Sequence, residues 1–317
     1  MRQIASISLD LDNKWSYLRA QGVEGWEQFP SYFSLVVPKI LAIADQCRLA
    51  LTVFVVGRDA EIADNVPWLQ QIVAAGHDIG NHSYMHEPWM QENPIEEIEI
   101  ELHKAAKAIE SATGQKTNSF RGPGFAVSTN LLTVLQDQGY VYDASVFPTF
   151  LGSILRKAAL ERAEVPDAIK NAPNPEFGRF GDGFRSVTPH RWSVNGGSIL
   201  EIPVTTMPVF RVPIHLTYLH FLASKSKLLA KLYLWFALTM CKIFRVEPSI
   251  LLHPLDFIAA DTVPELGHFP GMGGSTEEKC ALTIEFLQQI QKGFKLMSLS
   301  EYATLVQHRQ RLKVMTP

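Results

Sequence analysis

Ile4-Ala-Ser-Ile-Ser-Leu9, which runs straight into Asp10-Leu11-Asp12, decides how this chain is read. A short apolar run of this kind reads as a buried strand. Side chains two apart on a strand share a face. Asp10 and Asp12 can therefore enter one site at the strand's C-terminal end. Outward from this stretch the chain alternates. Leu51 to Val56 is a second buried strand, Trp68 to Ala75 a helix that stops at Gly76, and His77 to Asn81 a third strand. Asn93-Pro94-Ile95-Glu96 starts a helix, with Asn93 as N-cap, Pro94 at the first position and Glu96 placed for a capping box; it ends at Gly114. Ser128-Thr129-Asn130 starts another, which ends at Gly139 before a strand over Tyr140 to Val146. Ser275-Thr-Glu-Glu278 caps the last long helix, which stops at Gly293, and Phe294 to Leu299 is the final strand. Such alternation predicts an α/β fold with a parallel sheet.

The third strand leads into His82-Ser-Tyr-Met-His86. Histidines at i and i+4 share a face if their segment is helical, and a tight turn can also bring them together. One Asp with two His is a common open ligand set for a catalytic Zn²⁺ or a related divalent ion. The carboxylate left over is what a hydrolase needs as general base. An HxxxH pair arises by chance on many helices, and a DxD after a strand is as weak alone. Each gains weight from the other and from the order of three segments downstream.

Phe120-Arg121-Gly122-Pro123-Gly124-Phe125 runs from a strand end into a Gly/Pro loop. Tyr142-Asp143-Ala144-Ser145-Val146-Phe147-Pro148 puts an acid at another strand end. Ile250-Leu251-Leu252-His253-Pro254 is an apolar strand ending in His. With these residues in place, the chain resembles the polysaccharide deacetylase family, carbohydrate esterases sharing the NodB homology domain, from about residue 4 to about residue 305. The resemblance implies a distorted (β/α) barrel of about seven strands, in one catalytic domain over residues 1–317. It implies Asp10 as base and Asp12, His82 and His86 as metal ligands, with Zn²⁺ the expected ion. It implies Arg121 as partner of the base, Gly124 as an oxyanion-holding N–H, His253 as general acid and Asp143 as the fourth-motif acid. The family's first motif more often has adjacent aspartates, and the Trp common in its fourth motif is missing here. Asp143 and Glu201 are both candidates to orient His253; Asp256 could also orient it or bind substrate, with a helix cap as its bland alternative.

Composition sets bounds. Hydrophobic residues at 46% and charged ones at 19% suit a globular protein with a large core. A net charge of −3 gives no sign of nucleic-acid binding. Cys47, Cys241 and Cys280 are few, odd in number and unpatterned, which suits a reducing compartment and not a disulfide framework. The first strand begins almost at once, with no basic-plus-apolar leader, so the expected location is cytoplasmic.

Two insertions break the alternation, at about 149–190 and 207–246. The first is rich in Gly, Pro, Asn and Arg and reads as an excursion or lid over the strand ends. In the second, no Asp or Glu occurs from Ile202 through Val246, while Arg211, Lys225, Lys227, Lys231, Lys242 and Arg245 do. Leu228 to Phe244 is largely apolar but too short and too charged for the roughly 20 apolar residues of a spanning helix. An interfacial helix pair lying peripherally on anionic lipid fits this pattern, and packing on the barrel or a dimer contact is the plainer alternative. Glu201-Ile-Pro-Val-Thr205 resembles the matching segment in the lipid-linked aminoarabinose deformylases of the superfamily.

The expected function is metal-dependent hydrolysis of an N-acyl group, acetyl or formyl, from an amino sugar or a lipid-linked glycan. An allantoinase-like amidase on a small nitrogen metabolite and a catalytically silent glycan-binding module are the alternatives. Trp89 could line the sugar site or simply pack. His77 reads as structural, His103 as solvent-facing, and His190, His215, His220, His268 and His308 as surface or pocket-wall residues. Phe269 to Gly274 reads as a pocket-rim loop, without the Lys and Ser/Thr of a phosphate loop.

Overall fold

The structure, a computed structural model, describes residues 3–88, 90–125, 127–151, 180–309 and 311–317. Its strands are β1 (Gln3–Leu11), β2 (Thr52–Val55), β3 (Asp78–Asn81), β4 (Ser119–Phe120), β5 (Tyr142–Asp143), β6 (His190–Val194), β7 (Gly197–Glu201), β8 (Ser249–Leu252), β9 (Phe294–Ser298) and β10 (Lys313–Met315). Its described helices are α1 (Lys14–Ala20), α2 (Phe33–Gln46), α3 (Gly57–Ala60), α4 (Val66–Ala74), α5 (Ile95–Thr113), α6 (Thr129–Asp137), α7 (Leu216–Ala223), α8 (Lys227–Ile243), α9 (Thr276–Gly293) and α10 (Leu299–Gln307).

β1 organises the sheet. It pairs in parallel with β2, β8 and β9, β9 along its first half and β2 along its second. Period-2 alternation sorts its side chains. Ala5, Ile7, Leu9 and Leu11 join the main apolar core with Phe33, Val36, Val37 and Ile40 of α2. Ser6, Ser8 and Asp10 occupy the opposite set, small or polar and all buried. That phase carries Asp10, and Asp12 beyond it, to the site.

From β1 the sheet runs through β2, β3, β4, β5 and β7, all parallel, and ends in the antiparallel β6 and then β10. The α/β fold is as expected, and the barrel is an incomplete one. Among the described residues no ladder joins β7 to β8. Two hydrogen bonds span that gap: Thr205 N–H to the Ser249 carbonyl at 3.1 Å, and Ser249 N–H to Thr205 Oγ1 at 2.5 Å. The ring so bounded contains seven strands, β1 to β5 with β7 and β8.

Several local expectations need correction. α5 begins at Ile95 with Pro94 in the cap position and no side-chain cap. Asn93 sits one residue too early, and the Glu96 box does not form. The strand expected over Tyr140–Val146 is only two residues long. α10 and β10 follow β9, so Phe294 to Leu299 does not end the regular structure. By contrast, Ser275 and Glu278 form the expected capping box on α9, and Ser128 caps α6. Residues 152–179 of the first insertion, and Trp89, lie outside the described residues.

Candidate metal centre

Every expected site residue lies at or just past the C-terminal end of a strand. Asp10 and Asp12 end β1, His82 follows β3, Arg121 follows β4, Asp143 ends β5 and His253 follows β8. Parallel strands carry these groups to one rim, where barrels of this class place their chemistry.

The two histidines converge through a loop. Ser83 and His86 both have positive φ, 60° and 51°, a conformation that side chains other than Gly and Asn adopt only where contacts fix it. Those contacts are present. Asn81 Oδ1 accepts the Ser83 N–H at 2.8 Å, and Ser83 Oγ accepts the His86 N–H at 3.0 Å. Glu101 Oε1, from α5, accepts the N–H groups of Tyr84 and Met85 at 2.9 and 2.6 Å. The Ser83 carbonyl in turn accepts the Gly57 N–H at 2.8 Å. A Cβ on Gly57 would lie 2.6 Å from the Ala105 backbone of α5, so only glycine fits there.

Asp12, His82 and His86 are the one group of three such side chains, among the described residues, whose ligand atoms lie within 4.8 Å of one another. Asp12 Oδ1 stands 3.1 Å from His86 Nε2 and 3.3 Å from His82 Nε2. This buried oxygen has no aligned hydrogen-bond donor. A bare carboxylate oxygen between two imidazole nitrogens suits a divalent cation, which these residues therefore fit. The other carboxylate oxygen accepts the Tyr17 hydroxyl at 3.2 Å, and the Asp12 carbonyl accepts the Tyr32 hydroxyl. Burial opposes charge on both Asp12 and His82. Even so, His86 and His82 hold the Asp12 carboxyl well below its usual range, while Asp10 and Asp12 raise the His82 imidazole.

Asp10 lies beside this trio. Its Oδ2 is 3.9 Å from His82 Nε2, 3.7 Å from Arg121 Nη1 and 4.0 Å from His253 Nε2. Arg121 is fully buried and donates from Nη2 to Ser8 Oγ at 3.2 Å. Gly124 sits in the following loop with φ 61°, the left-handed backbone that glycine adopts without strain.

Asp143 is buried behind Arg121. Its Oδ1 accepts the Ala144 N–H at 2.9 Å and the Ser145 hydroxyl at 2.5 Å, and Ser145 Oγ accepts the Gly122 N–H at 2.7 Å. Asp143 thus braces the arginine loop, and among the described residues no hydrogen bond joins it to His253. Glu201 is its register neighbour on β7 and accepts from Val146 N–H and Trp192 Nε1. Burial pushes the Asp143 carboxyl up to about 6, and burial together with the Asp143 charge pushes Glu201 well above its usual range. His253 instead has Thr217 and Asp256 beside it. The Asp256 side chain accepts the His253 backbone N–H at 2.8 Å, the capping arrangement.

Tyr17, Asn81, Glu101 and Thr217 also belong to the site and carry no motif that marks them in the sequence. His190, His215 and His220 are buried, which excludes the surface half of what was expected of them and leaves the pocket-wall half. His215 stacks near His253 with ring centroids 5.8 Å apart, and burial together with the His253 and Arg121 charges holds it well below its usual value.

Residues 25–142 match the family model for polysaccharide deacetylase. The matched stretch takes in His82, His86 and Arg121 and agrees with the resemblance that the order of the motifs carries. The peptidoglycan deacetylase-like protein FGM2 of Gibberella zeae is 30% identical over 112 residues, 35% of this chain and 32% of that protein. The peptidoglycan deacetylase of Helicobacter pylori is 29% identical over 114 residues, 35% of this chain and 36% of that one. The chain thus spans about a third of the length of these curated relatives. A crystal structure from Mycobacterium smegmatis, provisionally described as a polysaccharide deacetylase, superposes with TM-score 0.62 at 18% identity, covering 100% of this chain and 95% of that one. That last likeness is one of fold.

Proposed function

We propose that this chain, as one catalytic domain, hydrolyses an N-acyl group, acetyl or formyl, from an amino sugar with the help of a divalent metal ion. The observation that carries the reading is the Asp12–His82–His86 cluster with Asp10 and His253 beside it. A cation held by those three ligands, Zn²⁺ by the donor set, would acidify a water and polarise the amide carbonyl. Asp10 takes the proton of the attacking water, and Arg121 fixes its carboxylate. Gly124 offers its N–H to the developing oxyanion. His253 hands a proton from Nε2 to the leaving amine, without which the C–N bond breaks poorly. The 4.0 Å between His253 Nε2 and Asp10 Oδ2 supports a base and an acid serving one bond.

The substrate in this reading is lipid-linked, and the protein works at the cytoplasmic face of a membrane. Two features of the second insertion support this. α8 exposes Leu228, Leu232, Trp235, Phe236 and Ile243. Lys225, Lys227 and Arg245 are exposed at its ends, and the stretch from Ile202 through Val246 holds no carboxylate. An apolar stripe with basic flanks is the composition of an interfacial helix. No described helix is long and apolar enough to cross a membrane.

The experiment is turnover of N-acetyl and N-formyl amino sugars, soluble and lipid-linked, by metal-loaded and chelator-treated protein. Metal-dependent release of acetate or formate is the expected result. Hydrolysis confined to small linear or cyclic amides would make the protein an amidase of another class. Glycan binding without turnover would make it a binding module.

A further inference from the structure

A hydroxyl of the insertion lies within hydrogen-bond reach of the acid histidine. Thr217, second residue of α7, places Oγ1 2.9 Å from Asp256 Oδ1 and 3.2 Å from His253 Nδ1. The other Asp256 oxygen accepts the His253 backbone N–H. Asp256 is fully buried, and the Lys279 ammonium near it is held by the Leu255 and Ile258 carbonyls. Burial raises the Asp256 carboxyl, and His253, Thr217 and Lys279 all act to keep it ionised.

We propose that Thr217 is the positioning residue for His253, relaying Asp256 to its Nδ1 and fixing the tautomer that the acid step requires. This rests on the deacylase reading above. The logic is one of donors and acceptors. A carboxylate only accepts, and a hydroxyl has one proton to give. Thr217 donates it to Asp256 Oδ1. The Thr217 oxygen then has only lone pairs left for His253, so Nδ1 carries the proton. Nε2, the nitrogen nearer Asp10, is left as the exchangeable site. An imidazolium that gives its Nε2 proton to a leaving amine ends in the tautomer this relay already holds, with no ring flip and no second proton shift.

The packing keeps Thr217 there. Leu216 and Leu219 of α7 are fully buried in the main core, and His215 lies against the histidine ring. The insertion thus supplies the acid's holder as well as an outward face. A plain turn cap for residues 254–256 is the competing account, and it makes no demand on the imidazole.

Nitrogen-15 NMR of histidine-labelled, metal-loaded protein tests the proposal, with His253 assigned by its loss in His253→Gln. Neutral His253 should carry its proton on Nδ1. Thr217→Val, which keeps the shape but not the hydroxyl, should move the neutral ring largely to the Nε2–H form. It should also lower kcat by about 10- to 100-fold with KM little changed, the usual effect of losing an outer-shell partner. Thr217→Ser should restore both. A wild-type ring unprotonated at Nδ1, or a Thr217→Val ring that stays Nδ1–H, overturns the proposal. A protein that shows the tautomer change yet hydrolyses no N-acyl sugar would sink the deacylase reading while supporting the relay.

Discussion

His82 Nδ1 lies 2.6 Å from the backbone carbonyl of Arg121. A carbonyl can only accept, so Nδ1 carries a proton, and in the neutral ring Nε2 is the lone-pair nitrogen that faces Asp12. This contact joins the histidine motif after β3 to the arginine loop after β4. It orients the His82 ring and ties the Arg121 loop to it, as a carbonyl partner holds a histidine that binds metal.

Replacing His82 or His86 by Ala should abolish most metal uptake. We expect at least a tenfold fall in bound metal per chain by elemental analysis, with the circular dichroism spectrum unchanged. Full occupancy in both variants would remove these residues from the ligand set.

The two aspartates should separate. Asp10→Asn should keep its metal and lose turnover by about 10²- to 10⁴-fold, because an amide cannot take the proton. Asp12→Asn should lose metal. If metal content followed Asp10 and not Asp12, the two roles would have to be exchanged.

On α8 the outward and inward sets differ in what their loss should cost. Trp235→Ser with Phe236→Ser should release the protein from vesicles containing anionic lipid at low salt, with stability little changed. Leu234 is different. It is fully buried in the main core, so Leu234→Ala should cost about 2–5 kcal/mol of stability by denaturant unfolding. Wild-type protein that ignores such vesicles would reassign the stripe to a contact with another protein surface.

Asp59 gives a pH prediction. Its Oδ1 accepts from Asn13 Nδ2 and Trp15 Nε1 at 2.7 and 2.9 Å, and burial pushes its carboxyl up to about 7. The folded state then binds the proton more tightly than the unfolded one. Its contribution to stability is full below the unfolded value near pH 4 and is lost as pH rises toward 7. Between pH 4.5 and 6.5 this amounts to about 2.5 kcal/mol. Asp59→Asn keeps an acceptor and cannot titrate, so urea midpoints of this variant should fall less over that range. Equal slopes would place the Asp59 value elsewhere.

Much of the site was legible because it follows strand geometry. Asp10 and Asp12 share a face by period two, and the order of five strand ends placed His82, Arg121 and His253 together. The manner in which His82 and His86 converge was open, because their loop is set by Asn81, Ser83 and Glu101 and not by helical spacing. Thr217 left no trace, since its partners lie 36 and 39 residues away and a threonine carries no motif. The phase of α8 was equally hidden. Both of its faces are apolar, so periodicity could not assign Leu234 inward and Trp235 outward. Asn93 and Pro94 misled by one position, because the proline's extended backbone took the cap.

The gap between β7 and β8 marks where this molecule should breathe. β8 has β1 along one edge and the Thr205 hydrogen bonds across the other. Strands in the middle of the sheet, such as β2, have a full ladder on both sides. Hydrogen–deuterium exchange should therefore start at the Thr205 and Ser249 amides well before it reaches Val53. His253 sits at the tip of the looser strand. An outward swing of β8 would move His253 away from Asp10 while leaving Asp12, His82 and His86 in place.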